Sequence, residues 1–89
     1  MKIKLELYGA SREFSEKDHL ELEIQDKASV DDLRNEIIKY LDKNFKGNES
    51  FINIAKSSAF CSENNEIISD NYKITKDQKI GIIPPIGGG

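Results

Sequence analysis

Ile3, Leu5 and Leu7 alternate with Lys2, Lys4, Glu6 and Tyr8, a period of two that predicts a strand with one buried face. Gly9 to Ser15 interrupts the alternation. Leu20, Leu22 and Ile24 resume it against Glu21, Glu23 and Gln25, so the two runs are expected to pair as an antiparallel hairpin with a long connection. At Ser29 the period changes. Ser29 reads as an N-cap with Asp31 and Asp32 in the first turn, where the helix dipole favours negative charge. Val30, Leu33, Ile37, Ile38 and Leu41 then recur at three- and four-residue spacing and leave Arg34, Glu36, Lys39 and Asp42 on the outside. Lys43, Lys46 and Gly47 suit the end of that helix and the exit from it.

Phe51-Ile52-Asn53-Ile54-Ala55 predicts a third strand and Ser58-Ala59-Phe60-Cys61 a short fourth one. Ser62 to Glu66 is a polar turn, Ile67-Ile68 a brief apolar return, and Asp70-Asn71-Tyr72 another turn. Ile80-Gly81-Ile82-Ile83 is apolar almost throughout, the mark of a strand buried on both sides. Strand, strand, helix, strand, short strand, strand has one economical solution in the α+β class. The helix lies across one face of a mixed sheet of four to five strands, with the first and last strands parallel neighbours at its centre. The expected fold is the β-grasp, or ubiquitin-like, roll, with residues 1–86 as the domain and 87–89 as a flexible glycine tail.

Composition narrows the function. With 89 residues there is room for one modest core, and 37% hydrophobic residues with no Trp makes it a thin one. A formal charge of −3 argues against a nucleic-acid binder, which needs a basic surface to neutralise phosphates, and favours a basic protein partner. Cys61 is the one cysteine and His19 the one histidine, so neither a disulfide, a multi-thiolate metal site nor a nucleophile–base pair is expected. Cys61 reads as a small buried hydrophobe and His19 as a strand-surface residue. No apolar run has the length of a signal or membrane segment, and the expectation is a cytoplasmic protein that touches no membrane.

The chemistry gathers at the other end. Pro84-Pro85 cannot continue a ladder, so the pair closes the last strand and launches the tail in an extended direction. Gly87-Gly88-Gly89 carries no side chain, reaches on the order of 10 Å when extended, and fits a channel one peptide wide. Its last atom is the Gly89 carboxylate, an anion at neutral pH that is inert until activated. Acyl chemistry performed by a partner is the simplest use of such a tail; a solubilising glycine run is the plain alternative.

Ile82-Ile83-Pro84-Pro85-Ile86-Gly87-Gly88-Gly89 resembles the ending of the small subunit of molybdopterin synthase, a ubiquitin-like sulfur carrier: two large apolar residues, Pro-Pro, an aliphatic residue, a small residue and Gly-Gly. Leu7-Tyr8-Gly9-Ala10-Ser11-Arg12-Glu13 is similar to that family's first-strand exit, and Ser29-Val30-Asp31-Asp32-Leu33-Arg34 to its helix start. Two segments depart from the pattern. Asp77-Gln78 stands where the family has a Gly-Asp turn, and the stretch from Ser62 to Tyr72 is longer.

The resemblance implies a cycle in which an adenylating enzyme, using ATP, activates Gly89 and a sulfur donor converts it to a thiocarboxylate. The loaded tail, Gly87, Gly88 and Gly89, then enters the large subunit of the synthase, in a heterotetramer, and gives up sulfur for the dithiolene that holds molybdenum or tungsten. The chain itself then has no catalytic residue, no metal and no bound cofactor. Tyr8, Arg12, Ile83, Pro84, Pro85 and Ile86 are the expected docking residues, if the first and last strands leave the sheet side by side. A thiazole-pathway sulfur carrier and an archaeal ubiquitin-like modifier share the fold and the glycine end. A β-grasp interaction module with an incidental tail is the reading outside the carrier class.

Overall fold

The computed structural model describes residues 1–85. β1 (Lys2–Leu7) runs into a 3-10 helix (Gly9–Phe14) and returns as β2 (His19–Glu23); α1 (Val30–Asn44) and α2 (Glu49–Ser57) follow, then β3 (Ala59–Cys61), β4 (Ile67–Ile68) and β5 (Gln78–Ile83). The five strands form one sheet in the order β2-β1-β5-β3-β4. β1 and β5 are parallel, with Leu5 opposite Ile80 and Leu7 opposite Ile82, and every other pairing is antiparallel. This is the β-grasp arrangement expected from the element order. The two strands that must be most buried lie inside the sheet.

One face of the sheet is core. Ile3, Leu5, Leu7, Leu20, Phe60, Ile80 and Ile82 meet Val30, Leu33, Ile37 and Leu41 of α1, because alternate strand residues and every third or fourth helix residue point the same way. α1 begins as its sequence predicts. Ser29 Oγ accepts from the Asp32 N–H at 3.1 Å, and the Asp32 carboxylate accepts from the Ser29 N–H at 2.9 Å, a reciprocal cap that holds the Asp32 carboxyl below its usual range, chiefly through that backbone donor. Gly47, at φ +72, makes the left-handed exit.

Phe51 to Ala55 is not a strand. It lies within α2, whose N-cap Asn48 accepts from the Phe51 N–H at 3.2 Å. Phe51, Ile52, Ile54 and Ala55 stand at positions i, i+1, i+3 and i+4, which fits one helical face as well as it fits an irregular strand. Tertiary contact decides between them: the Phe51 ring packs on Phe14 at 5.3 Å and on Phe45 at 4.9 Å between centroids. The fifth strand is instead the brief Ile67–Ile68 run, and there are two α-helices where one main helix was expected.

Arg34 is not on the outside either. Its side chain is only 11% exposed. Nη1 donates to the carbonyls of Ala55 at 2.7 Å, Lys56 at 3.1 Å and Ser58 at 2.8 Å, and Nη2 donates to Asp70 at 2.8 Å, with the guanidinium 4.9 Å from the Phe60 ring centre. A cation thus closes the C-terminal end of α2, where carbonyls lack intrahelical donors.

Candidate functional site

The face of the sheet opposite α1 divides into two halves. Toward β2 it is charged: Lys2 stands opposite Glu23 and Lys4 opposite Glu21, and Lys79 Nζ lies 3.0 Å from Glu6. Toward β3 and β4 it is apolar. Tyr8, Gly81, Ile83, Ala59, Cys61 and Ile67 fall on this side by strand alternation and register, with Tyr8 45% and Ile67 67% exposed.

Tyr8 is the hinge between the halves. Its ring lies across Gly81, its hydroxyl donates to Glu6 at 3.3 Å, and the Glu6 carboxyl is held below its ordinary range, first by its hydrogen bond with Lys79. The phenol is pushed above its own range, first by burial and then by the Glu6 charge. Directly after Tyr8 the chain turns into the 3-10 helix. The Tyr8 N–H donates to Ser11 Oγ at 3.0 Å and that hydroxyl donates back to the Tyr8 carbonyl at 2.6 Å, so the buried Ser11 fixes the turn. Arg12 sits on that helix, exposed.

β5 ends against the same turn. Gly9 has φ +55, and a Cβ there would stand 4.0 Å from both Cγ and Cδ of Pro84. Pro84 is buried and Pro85 exposed. The chain therefore leaves the sheet from its central parallel pair, guided by a proline packed on the β1 exit. The structure brings Tyr8, Ile83 and Pro84 together, with Arg12 on the adjoining helix. Ile86, Gly87, Gly88 and Gly89 lie outside the described residues.

The sequence reading missed Gly81 as a site residue and placed Cys61 only as a buried thiol. Cys61 is buried, but on the open face beneath Tyr8. A glycine inside an apolar strand run is a signal of close approach, and here a Cβ would stand 2.8 Å from Cys61 Sγ and 2.8 Å from Tyr8 Cε2. Gly81→Ala is accordingly expected to cost about 1–3 kcal/mol of stability and to lift the Tyr8 ring off the sheet, returning its phenol toward an ordinary pKa. Tyrosine titration by NMR and urea denaturation measure both. Cys61→Ala in the same chain should recover part of the loss, since the two sites share one clash; simple additivity would show that the thiol does not limit the space.

Among the described residues no group of three His, Cys, Asp or Glu side chains is placed to hold a metal ion, and no helix is long and apolar enough to cross a membrane.

A mixed five-strand β-grasp sheet with an apolar patch at the exit of its central strands defines a ubiquitin-like protein. The chain belongs to the ThiS family, whose sequence profile matches residues 5–89, and so to the ubiquitin-fold sulfur carriers, small proteins that are generally not catalytic themselves. Among solved structures it is similar to SAMP1 from Haloferax volcanii, with a TM-score of 0.68, 14% identity and 100% of each chain covered. It is also similar to a protein from Pyrococcus furiosus provisionally assigned as molybdopterin converting factor, subunit 1, with a TM-score of 0.70, 24% identity, and 96% of this chain and 98% of that one covered. No curated protein matches the chain by sequence.

Proposed function

We propose that the chain carries sulfur as a thiocarboxylate on Gly89 for the building of the molybdopterin dithiolene. The observation that carries this is Pro84 packed against the Gly9 turn at the end of the central strand pair, which gives Ile86-Gly87-Gly88-Gly89 a rigid point of departure beside an apolar docking face. In the cycle proposed, the Gly89 carboxylate attacks ATP in an adenylating enzyme, releasing pyrophosphate and leaving an acyl-adenylate. A sulfur donor's sulfide then forms the C–S bond as the C–O bond to AMP breaks. In the large subunit the sulfur passes to the pterin precursor, and water restores the carboxylate.

ATP and the sulfur donor belong to the activating enzyme in this account, and the acid–base groups to the large subunit, with which the chain forms a heterotetramer. Tyr8, Ile83, Pro84, Pro85 and Ile86 supply apolar docking contacts and Arg12 a charged one at their edge. The Pro-Pro pair ahead of the glycines favours this role over a thiazole-pathway carrier. The glycine ending, which archaeal ubiquitin-like modifiers share, supports a second reading, transfer of the chain to protein lysines.

Intact-mass measurement of the protein from its native cell separates sulfur carriage from lysine transfer. A gain of about 16 Da, one oxygen exchanged for sulfur at the tail, is the expected result. A chain found without that gain under conditions of active cofactor synthesis, or found only joined to lysines, would overturn the proposal.

A further inference from the structure

β2 is an edge strand, and its pairing with β1 shows which backbone groups it leaves free. Met1 and Ile24 exchange both hydrogen bonds, at 2.7 and 2.9 Å, and the Leu7 N–H donates to Asp18 at 3.0 Å. In an antiparallel ladder such pairs recur every second residue. Asp18, Leu20, Leu22 and Ile24 therefore direct their amides and carbonyls at β1, and His19, Glu21 and Glu23 direct theirs outward, where no described strand meets them. β4, at the other edge, has two residues and offers no comparable ladder.

The outer side of β2 is also where the surface is concave. Two clefts of about 480 and 630 Å³ line the groove between β2 and α1. Six acids border them, Glu13, Glu16, Glu21, Glu23, Asp32 and Glu36, against the ammonium groups of Lys17 and Lys39. Toward α1 the floor includes the buried Ile24 and the half-buried Tyr40.

We propose that this edge is a strand-addition site for an extended, basic segment of a partner protein, one that alternates apolar residues toward the α1 groove with Lys or Arg toward Glu21 and Glu23. Main-chain bonds to His19, Glu21 and Glu23 would supply the affinity and the alternating side chains the selectivity. A second copy of this chain is the poorer occupant, because antiparallel pairing of two β2 edges sets Glu21 against Glu21 or against Glu23 of the other copy, where like charges facing across strands repel, whereas a basic segment meets both glutamates with opposite charge. The site lies on the opposite side of β1 from the Tyr8–Ile83 patch, and it stands or falls independently of sulfur chemistry.

The test is an amide-shift and hydrogen-exchange titration of the full chain with a capped peptide of about seven residues alternating valine and lysine, a usual strand length. Shifts and slowed exchange at His19, Glu21 and Glu23 are expected, weakening as salt screens the acids. A valine–glutamate peptide should bind at least about tenfold more weakly. Glu21→Pro removes one outward N–H and none of the bonds to β1, and should weaken the valine–lysine peptide about tenfold. Should that variant unfold, Glu21→Lys with Glu23→Lys leaves the backbone intact and is expected to reverse the preference between the two peptides. No binding at millimolar peptide, equal binding of both peptides, or shifts confined to Tyr8 and Gly81 would overturn the proposal.

Discussion

Removing Gly89, or adding one residue beyond it, is expected to abolish sulfur loading and to leave the unfolding free energy within about 0.5 kcal/mol of the parent. The reason is positional. A shortened or extended chain still ends in a carboxylate, but that carboxylate falls one residue, about 3.5 Å, short of or beyond the place proposed for the Gly89 carboxylate in the activating enzyme, while the core residues that hold the fold end with Ile82. Gly88→Ala tests the remainder of the idea. A methyl at that position meets whatever walls enclose a bare backbone and narrows the conformations open to the residue. The thiocarboxylate can then be held out of line although the domain still docks, and a misplacement of one ångström costs on the order of 100-fold in rate. Gly87→Ala should be milder, because the carriers this ending resembles accept a small residue there. Single-turnover transfer from loaded protein, measured beside affinity for the large subunit, separates reactivity from docking. Parental transfer by Gly88→Ala would show that the glycines are only a tether, and loading of a chain extended past Gly89 without prior cleavage would show that the acyl site lies elsewhere.

The elements that sequence periodicity identifies are those whose own residues carry the signal, whatever segment packs against them. β1, β2 and α1 each show their buried face as an alternation or a helical stripe, β5 shows itself as a nearly unbroken apolar run, and the Ser29 cap is complete within four residues. The parallel pairing of β1 and β5 follows from the element order, and it brings Tyr8 beside Ile83 and Pro84 as the residues at both strand ends imply. What could not be read depends on contacts between distant segments. Phe51 to Ala55 satisfies two templates at once, and only the rings of Phe14 and Phe45, from two other parts of the chain, select the helix. Gly81 looks like a weak point in a buried strand until Tyr8 is laid across it. Alternation places Cys61 and Ile67 near their neighbours but does not say that both face away from α1, since that depends on the register of β3 against β5 and β4.

Arg34 is the sharpest case, and its replacement has the largest expected effect on stability. By helical period it belongs to the solvent side of α1, yet α2 folds back over it and its guanidinium answers three carbonyls at the end of α2, those of Ala55, Lys56 and Ser58, as well as Asp70. Arg34→Met keeps much of the side-chain volume but leaves those carbonyls without their donor in a site with little access to water. A loss of about 3 kcal/mol is expected, or a fall in Tm on the order of 15 °C for a domain of this size. Arg34→Lys retains the charge but not the planar fork that serves several acceptors together, and should fall between the two. Asp70→Asn tests the other end of the network. Asp70 is 58% exposed, so the ion pair with it is largely solvated and its loss should cost less than about 1 kcal/mol. Urea denaturation of the three variants distinguishes the roles. If Asp70→Asn cost as much as Arg34→Met, the ion pair rather than the helix end would be the source of stability; if Arg34→Met cost less than about 1 kcal/mol, α2 would be held by its Phe14, Phe45 and Phe51 packing alone.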